Sequence, residues 1–119
     1  MPSKIKTDYG IISIDNEVIA RTAGMAALDC YGIVGMAAKN VKDGIVQLLK
    51  LERLTKGIVL DISDDGLIIE LHIIVEYGIN ISAITESIVS TIRYKIEDFL
   101  GLSVKKVNVY VEGIRVNKI

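Results

Sequence analysis

Glu70 and His72 are the two residues of this 119-residue chain whose types and spacing could support acid–base chemistry. His72 is the only histidine, and residues two apart on an extended segment point to the same face. The pair could also offer two ligands to a metal ion, but a stable metal site normally has three or four. We therefore interpret His72 as a surface or interface imidazole, and we predict no catalytic residue, metal or cofactor.

Cys30 and three aspartates are further candidates for chemistry. Cys30 is the only cysteine and closes an alanine-rich stretch without a nearby histidine, which favours a small buried apolar side chain over a nucleophile. Asp61, Asp64 and Asp65 lack the ligand spacing of a calcium loop, so turn formation before Gly66 is the better interpretation. The sequence has no phosphate-binding loop, nucleophile elbow, paired-cysteine or HExxH motif, and so indicates no familiar enzyme class.

The tetrapeptide Gly32–Gly35 matches in form the GxxG loop that KH modules place between two helices to clamp a nucleotide backbone. KH loops use basic middle residues for phosphate contact, whereas Ile33 and Val34 are apolar. These charges favour a structural elbow or a partner-docking site. KH-like RNA binding through this loop, with Lys39 and Lys42 on the phosphates, is the alternative.

Composition narrows the class of protein further. Half of the residues are apolar and 24% are charged, which is typical of a single folded domain over residues 1–119. Fourteen basic and fifteen acidic residues give a net charge of -1, too balanced for the positive field that drives non-specific nucleic-acid binding. The lone cysteine and the lack of an N-terminal apolar block predict a cytoplasmic protein without a membrane span.

The first half of the chain predicts one strand and two helices. A strand lies between Tyr9 and Ile14, and Asp15 or Asn16 then offers a helix N-cap. Small residues dominate the helix predicted from residue 17 to residue 30, and Gly32 and Gly35 predict a sharp departure from it. A second, amphipathic helix is predicted from residue 43 to residue 54.

A hairpin is the clearest signal of the second half, because Asp65-Gly66 separates two β-rich runs, residues 57–62 and 67–77. One face of the return strand is predicted to be core: Leu67, Ile69, Leu71, Ile73, Val75 and Tyr77. The other face mixes apolar and charged residues: Ile68, Glu70, His72, Ile74 and Glu76. We expect this mixed face to be exposed in the monomer and covered by another subunit.

A long helix and a last strand complete the pattern. Isoleucines recur at helical spacing from Ile81 to Ile96 and continue to Phe99, and Gly101 is expected to end this helix. The last strand spans residues 104–111 and a short tail follows. The order β-α-α-β-β-α-β predicts an α+β fold, a split βαβ-like sandwich with mainly one sheet and helices on one face.

Three separated motifs give the chain a family resemblance. They are G-x-I-x-I with NEVI, starting at Gly10, the YGIVGM elbow at Tyr31, and V-x-V-x-V-x-G-[IV]-x-V, starting at Val107. In this order they resemble the alkaline shock protein family of Gram-positive bacteria, also called the general or envelope stress response protein family. The resemblance covers nearly the whole chain and is strongest to the short, housekeeping-type branch.

The resemblance implies an abundant, non-enzymatic cytoplasmic protein, associated in some members with alkaline or envelope stress and held beneath the membrane by a separate anchoring protein. It supplies no catalytic residue. Our leading hypothesis is therefore a scaffold or adaptor that forms homo-oligomers and binds protein partners. The residues expected to make these contacts are Ile68, His72 and Ile74 on the strand face and Ile33 and Val34 at the elbow.

Overall fold

A computed structural model describes residues 3–37, 55–63 and 65–116. In chain order its elements are β1 (Ser3–Thr7), β2 (Gly10–Ile14), α1 (Asn16–Leu28), β3 (Ile33–Met36), β4 (Ile58–Ser63), β5 (Gly66–Glu76), α2 (Ile81–Lys95), a single π-helical turn (Ile96–Leu100) and β6 (Val104–Arg115). The helix predicted over residues 43–54 lies outside the described residues. The sequence does not predict β1 or β3.

Strand β5 is the centre of the main sheet. β6 runs parallel to it from Leu67 to Glu76, while β4 pairs antiparallel with its first half and β3 with its second half. Because β6 follows one edge of β5 along its length, β3 and β4 share the opposite edge, one after the other. The predicted hairpin is confirmed as β4 and β5, joined at residues 64 and 65.

The core lies between this sheet and the two helices. Alternate residues of β5 from Leu67 to Val75 are buried, as the strand pattern predicts. They pack against a stripe of small residues on α1 and a stripe of isoleucines on α2: Ile19, Ala20, Ala23, Ala26, Ala27, Ile84, Ile88 and Ile92. The predicted α+β class, with mainly one sheet and helices on one face, is confirmed. β5 and β6 are direct neighbours in the sheet. The crossover from β5 through α2 to β6 is therefore not split by another strand.

Capping explains where both helices begin. The Asp15 side chain accepts a hydrogen bond from the backbone N–H of Glu17, and the Asn80 side chain accepts one from Ala83 at 3.1 Å. Gly101 has φ 72°, and its N–H donates to the carbonyl of Glu97, so the predicted helix stop is confirmed.

The ends of the predicted isoleucine stripe are not core. Ile81 is exposed in the first turn of α2, and Phe99 is 74% exposed. The π-helical turn provides the reason at the second end, because its wider winding shifts the register of the residues that follow Lys95. Tyr77, predicted on the core face, lies beyond the end of β5 and is also exposed.

The last strand is longer than predicted and irregular. It continues to Arg115, so part of the predicted tail is strand. Ile73 pairs with Val111 and Ile74 with Gly113, which leaves Glu112 as an extra residue in β6. This bulge re-aims the strand beside the centre of β5.

The N-terminal residues form a separate two-stranded sheet. β1 and β2 pair antiparallel with Ile5 opposite Ile12, and Ile5 and Ile14 pack against the core. Tyr9 lies fully exposed at the turn. We call this hairpin, residues 3–14, the arm.

Candidate functional site

His72 is buried in the sheet, with only 6% of its surface exposed. Its Nε2 lies 2.9 Å from a carboxylate oxygen of Glu70, and its Nδ1 lies 3.7 Å from one of Glu112. The ring stacks on Tyr110 with a centroid distance of 5.0 Å and an interplanar angle of 13°. We call these four residues the His72 cluster.

Strand register builds the His72 cluster. Glu70 and His72 share a face of β5 because they are two residues apart, and His72 pairs with Tyr110 on the parallel neighbour. The bulge in β6 then brings Glu112 to the second ring nitrogen. Sequence reasoning finds the first pair but not Tyr110 or Glu112, since their approach depends on pairing between segments about 40 residues apart.

The chemistry open to the His72 cluster is limited by the burial of its histidine. The short contact to Glu70 fixes the imidazole, while Nδ1 is buried without a hydrogen-bond partner among the described residues. Among the residues that the structure describes, no group of three or more histidine, cysteine, aspartate or glutamate side chains is arranged to hold a metal ion. The arrangement is typical of a polar network that links β5 and β6, in which each side chain orients another.

The expected exposure of the mixed strand face is wrong for two of its three proposed contact residues. His72 is buried, and Ile74 is only 3% exposed, while Ile68 is half-buried. Alternation along one strand cannot report what its neighbours cover, and at His72 the cover is Tyr110. Buried side chains offer little surface to a partner, so a contact surface has to be sought elsewhere.

The Gly32–Gly35 segment is a turn followed by a strand. Gly32 has φ 89°, a conformation that strains other residues, and an added Cβ would also displace the ends of Ile79 and Ile84, so glycine is favoured. Ile33 is half-buried against the core, whereas Val34 is the exposed extra residue of a bulge in β3. Partner binding by Val34 stays a prediction.

This geometry does not support the RNA-binding alternative. Gly35 is buried within β3 and pairs with Ile74, so the tetrapeptide is not a free loop between two helices. A backbone held in a ladder cannot wrap a phosphate as a GxxG loop does. Lys39 and Lys42, the expected phosphate contacts, lie outside the described residues.

The other candidates occupy ordinary structural positions. Cys30 is half-buried, packs against the core and donates its thiol to the carbonyl of Ala26 at 3.6 Å. Asp61 is exposed, and Asp65 lies 3.6 Å from the ammonium of Lys105. Asp64 lies outside the described residues.

A groove on the outside of the helix layer is the feature that sequence reasoning missed. It runs between α1 and the end of α2 with a volume of about 660 Å³. Four large, exposed apolar or aromatic side chains line it: Val18, Met25, Tyr94 and Phe99. We call this surface the helix groove. Val18 and Met25 are seven residues apart, on one side of the buried stripe of α1, and this spacing is the signal that could have revealed it.

Acidic residues dominate the charged lining of the helix groove. Its lining has four carboxylates against two basic groups: Asp15, Glu17, Asp29 and Asp98 against Arg21 and Lys95. Arg21 lies 3.5 Å from Glu17 and compensates part of that charge. The site therefore combines large apolar side chains with a net negative charge, which suits binding of a protein surface.

Nearly the whole chain matches one known protein family. Residues 4–116 match the model of the alkaline shock protein 23 family, which is described as having a cell envelope-related function. The chain belongs to this family. The membership confirms the resemblance drawn from the three motifs.

Relatives in two bacterial species extend the comparison. The chain is 44% identical to the uncharacterized protein YloU of Bacillus subtilis over 117 residues, 98% of both chains. It is 37% identical to an uncharacterized Streptococcus pyogenes protein, Spy1614, covering 98% of this chain and 97% of that one. A stress response regulator gls24 homolog of Streptococcus pyogenes is 27% identical and is covered over 59% of its length. No solved structure matches the chain.

None of the helices in the described ranges combines the length and the apolar character needed to cross a bilayer.

Proposed function

We propose that this family member is a non-enzymatic scaffold or adaptor of the cell envelope stress response, which binds other proteins and copies of itself. The observation that carries the proposal is the helix groove, a concave surface lined by exposed Val18, Met25 and Phe99. Concave apolar surfaces with a polar rim are where proteins bind one another, and large apolar and aromatic side chains supply most of the affinity.

The burial of His72 supports the non-enzymatic part of the proposal. A general base must reach the proton that it removes, either directly or through one water molecule. His72 is covered by Tyr110 and hydrogen-bonded to Glu70, so substrate access to its ring is restricted. His72 therefore serves the fold, and the exposed apolar residues of the helix groove are the ones available to a partner.

The family supports an envelope role, and we place the protein on the cytoplasmic side, held near the membrane by an anchoring protein. The family is described as cell envelope-related, and one relative is named a stress response regulator homolog. A lone, half-buried Cys30 fits a reducing compartment.

Sedimentation velocity of the full chain over a wide concentration range tests the proposal. We expect an assembly larger than one chain, and we expect Met25→Glu to shift it towards the monomer. Tyr77→Glu is the control, because Tyr77 is also exposed but does not line the helix groove. A wild-type chain that stays monomeric at every concentration would contradict self-association.

The adaptor role has its own test. Photo-crosslinking from an amino acid placed at Val18 in living cells is expected to join the chain to a membrane-anchored protein, and the Met25→Glu variant is expected to lose that product. Cross-links that persist in the variant would mean that binding of this partner does not depend on the apolar surface at Met25.

A further inference from the structure

We propose that the helix groove receives the arm of a second copy of this chain, in a reciprocal exchange between two copies. The exchange depends on the self-association proposed above and adds which two surfaces meet.

Several apolar side chains of the arm are exposed, and contacts within a single chain do not cover them. Ile11 is 63% exposed, and Ile12 and Tyr9 are also exposed, while only Ile5 and Ile14 pack against the core. An isolated two-stranded hairpin is marginally stable in water and gains stability when another surface covers it. Apolar residues at a free sheet edge also tend to recruit another chain.

One face of the arm has the chemistry that complements the groove. Residues directly opposite in an antiparallel pair share a face, so Lys4, Lys6 and Ile11 lie together. Ile11 lies directly opposite Lys6 on this face, and an isoleucine beside lysines complements a groove lined by apolar side chains and carboxylates. With four acidic against two basic groups in its lining, the helix groove has the opposite sign of net charge to this face.

The dimensions of the two surfaces also agree. Val18 and Met25 lie about 10 Å apart along α1, at a rise of 1.5 Å per residue. Each strand of the arm has five residues and is about 17 Å long. The arm is therefore long enough to cover this part of the helix groove.

The position of the arm favours exchange between two copies over binding of the arm to its own groove. β2 ends at Ile14, and the next residue, Asp15, already lines the helix groove. The arm therefore joins the rest of the chain at the edge of the helix groove, and Ile5 and Ile14 pack the arm against the core. A two-fold axis beside Asp15 would bring both arm–groove contacts together, which gives a closed dimer.

A directed disulfide tests the exchange. In a Cys30→Ser background, one chain carries Ile11→Cys and a second chain carries Met25→Cys, and both positions are exposed, so both variants should fold. We expect a covalent dimer after mild oxidation of the mixture and little from either chain alone. A mixture of Tyr77→Cys with Met25→Cys is the control. Equal cross-linking in the control would overturn the exchange.

Charge reversal provides the second arm of the test. Lys6→Glu alone and Asp98→Lys alone are each expected to raise the dimer Kd about tenfold, as reversal of a close interfacial charge does. Together, the two changes are expected to restore the dimer. A wild-type dimer that neither change weakens would overturn the exchange and leave self-association standing. If the wild-type chain is a monomer, both the exchange and self-association are wrong. If the helix groove binds only a different protein, it is the binding site for that protein and the exchange is wrong.

Discussion

The His72 cluster and the helix groove lie in the same small domain but differ in how accessible their side chains are. The His72 cluster holds an imidazole, two carboxylates and a phenol, yet its histidine is buried and held by its neighbours. The helix groove combines charged side chains with apolar and aromatic ones, and its large apolar side chains are accessible. Accessibility, and not residue type, therefore indicates which region can act on other molecules.

The two regions also differ in what mutation should change. Loss of a buried hydrogen-bonded group leaves its partner unsatisfied and lowers the free energy of unfolding. Loss of an exposed apolar group changes that free energy little, but it removes contact area from an interface. The comparison therefore predicts a separation between stability and association.

His72→Ala should have the largest effect on stability. We expect a loss of about 2–3 kcal/mol in the free energy of unfolding, because the substitution leaves a cavity and removes the hydrogen bond to Glu70. Urea denaturation followed by circular dichroism measures the loss. Glu70→Gln is the matched control, since its amide can still bond the imidazole, and it should lose less. A His72→Ala variant as stable as the wild type would remove the structural role of the His72 cluster.

Tyr110→Ala should have an intermediate effect. The phenol ring is partly exposed but stacks on His72 at 5.0 Å, and an aromatic pair contributes about 0.5–1.5 kcal/mol beyond burial. We expect a loss of about 1–2 kcal/mol in the same denaturation experiment. Tyr110→Phe keeps the ring and should stay near the wild type. Equal losses in both variants would mean that the hydroxyl, and not the stacked ring, stabilises the strand pair.

Met25→Glu should have the smallest effect on stability. Its side chain is exposed in the helix groove, and substitutions at such surfaces change the free energy of unfolding by about 0.5 kcal/mol or less. Ala23→Glu, two residues earlier on the same helix, is the contrasting control because Ala23 is fully buried. Thermal unfolding should show a strong loss for Ala23→Glu alone. Similar losses at both positions would mean that the groove is part of the core.

The sequence predicts those elements whose signal is local. Asp65-Gly66 marks the hairpin, Gly101 marks the end of the long helical segment, and alternation along β5 identifies the buried face. β1 escapes prediction because Lys4 and Lys6 flank Ile5 and resemble a solvated tail. Its pairing with β2 supplies the structure that its own residues do not specify.

The sites were harder to predict because they depend on distant parts of the chain. Burial of His72 follows from the register of β6 and the bulge at Glu112, neither of which is visible in the β5 sequence. The helix groove exists because α1 packs beside the end of α2, where the π-helical turn leaves Phe99 outside the core. Periodicity assigns Phe99 to the core because it assumes a regular helix.

The most direct test compares the dimer Kd of the wild type, His72→Ala and Met25→Glu by sedimentation velocity, at a temperature where all three are folded. If the His72 cluster stabilises the fold and the helix groove binds the second copy, His72→Ala keeps the wild-type Kd and Met25→Glu raises it about tenfold or more. A Kd raised by His72→Ala and unchanged by Met25→Glu would contradict the account and return the contact surface to the strand face.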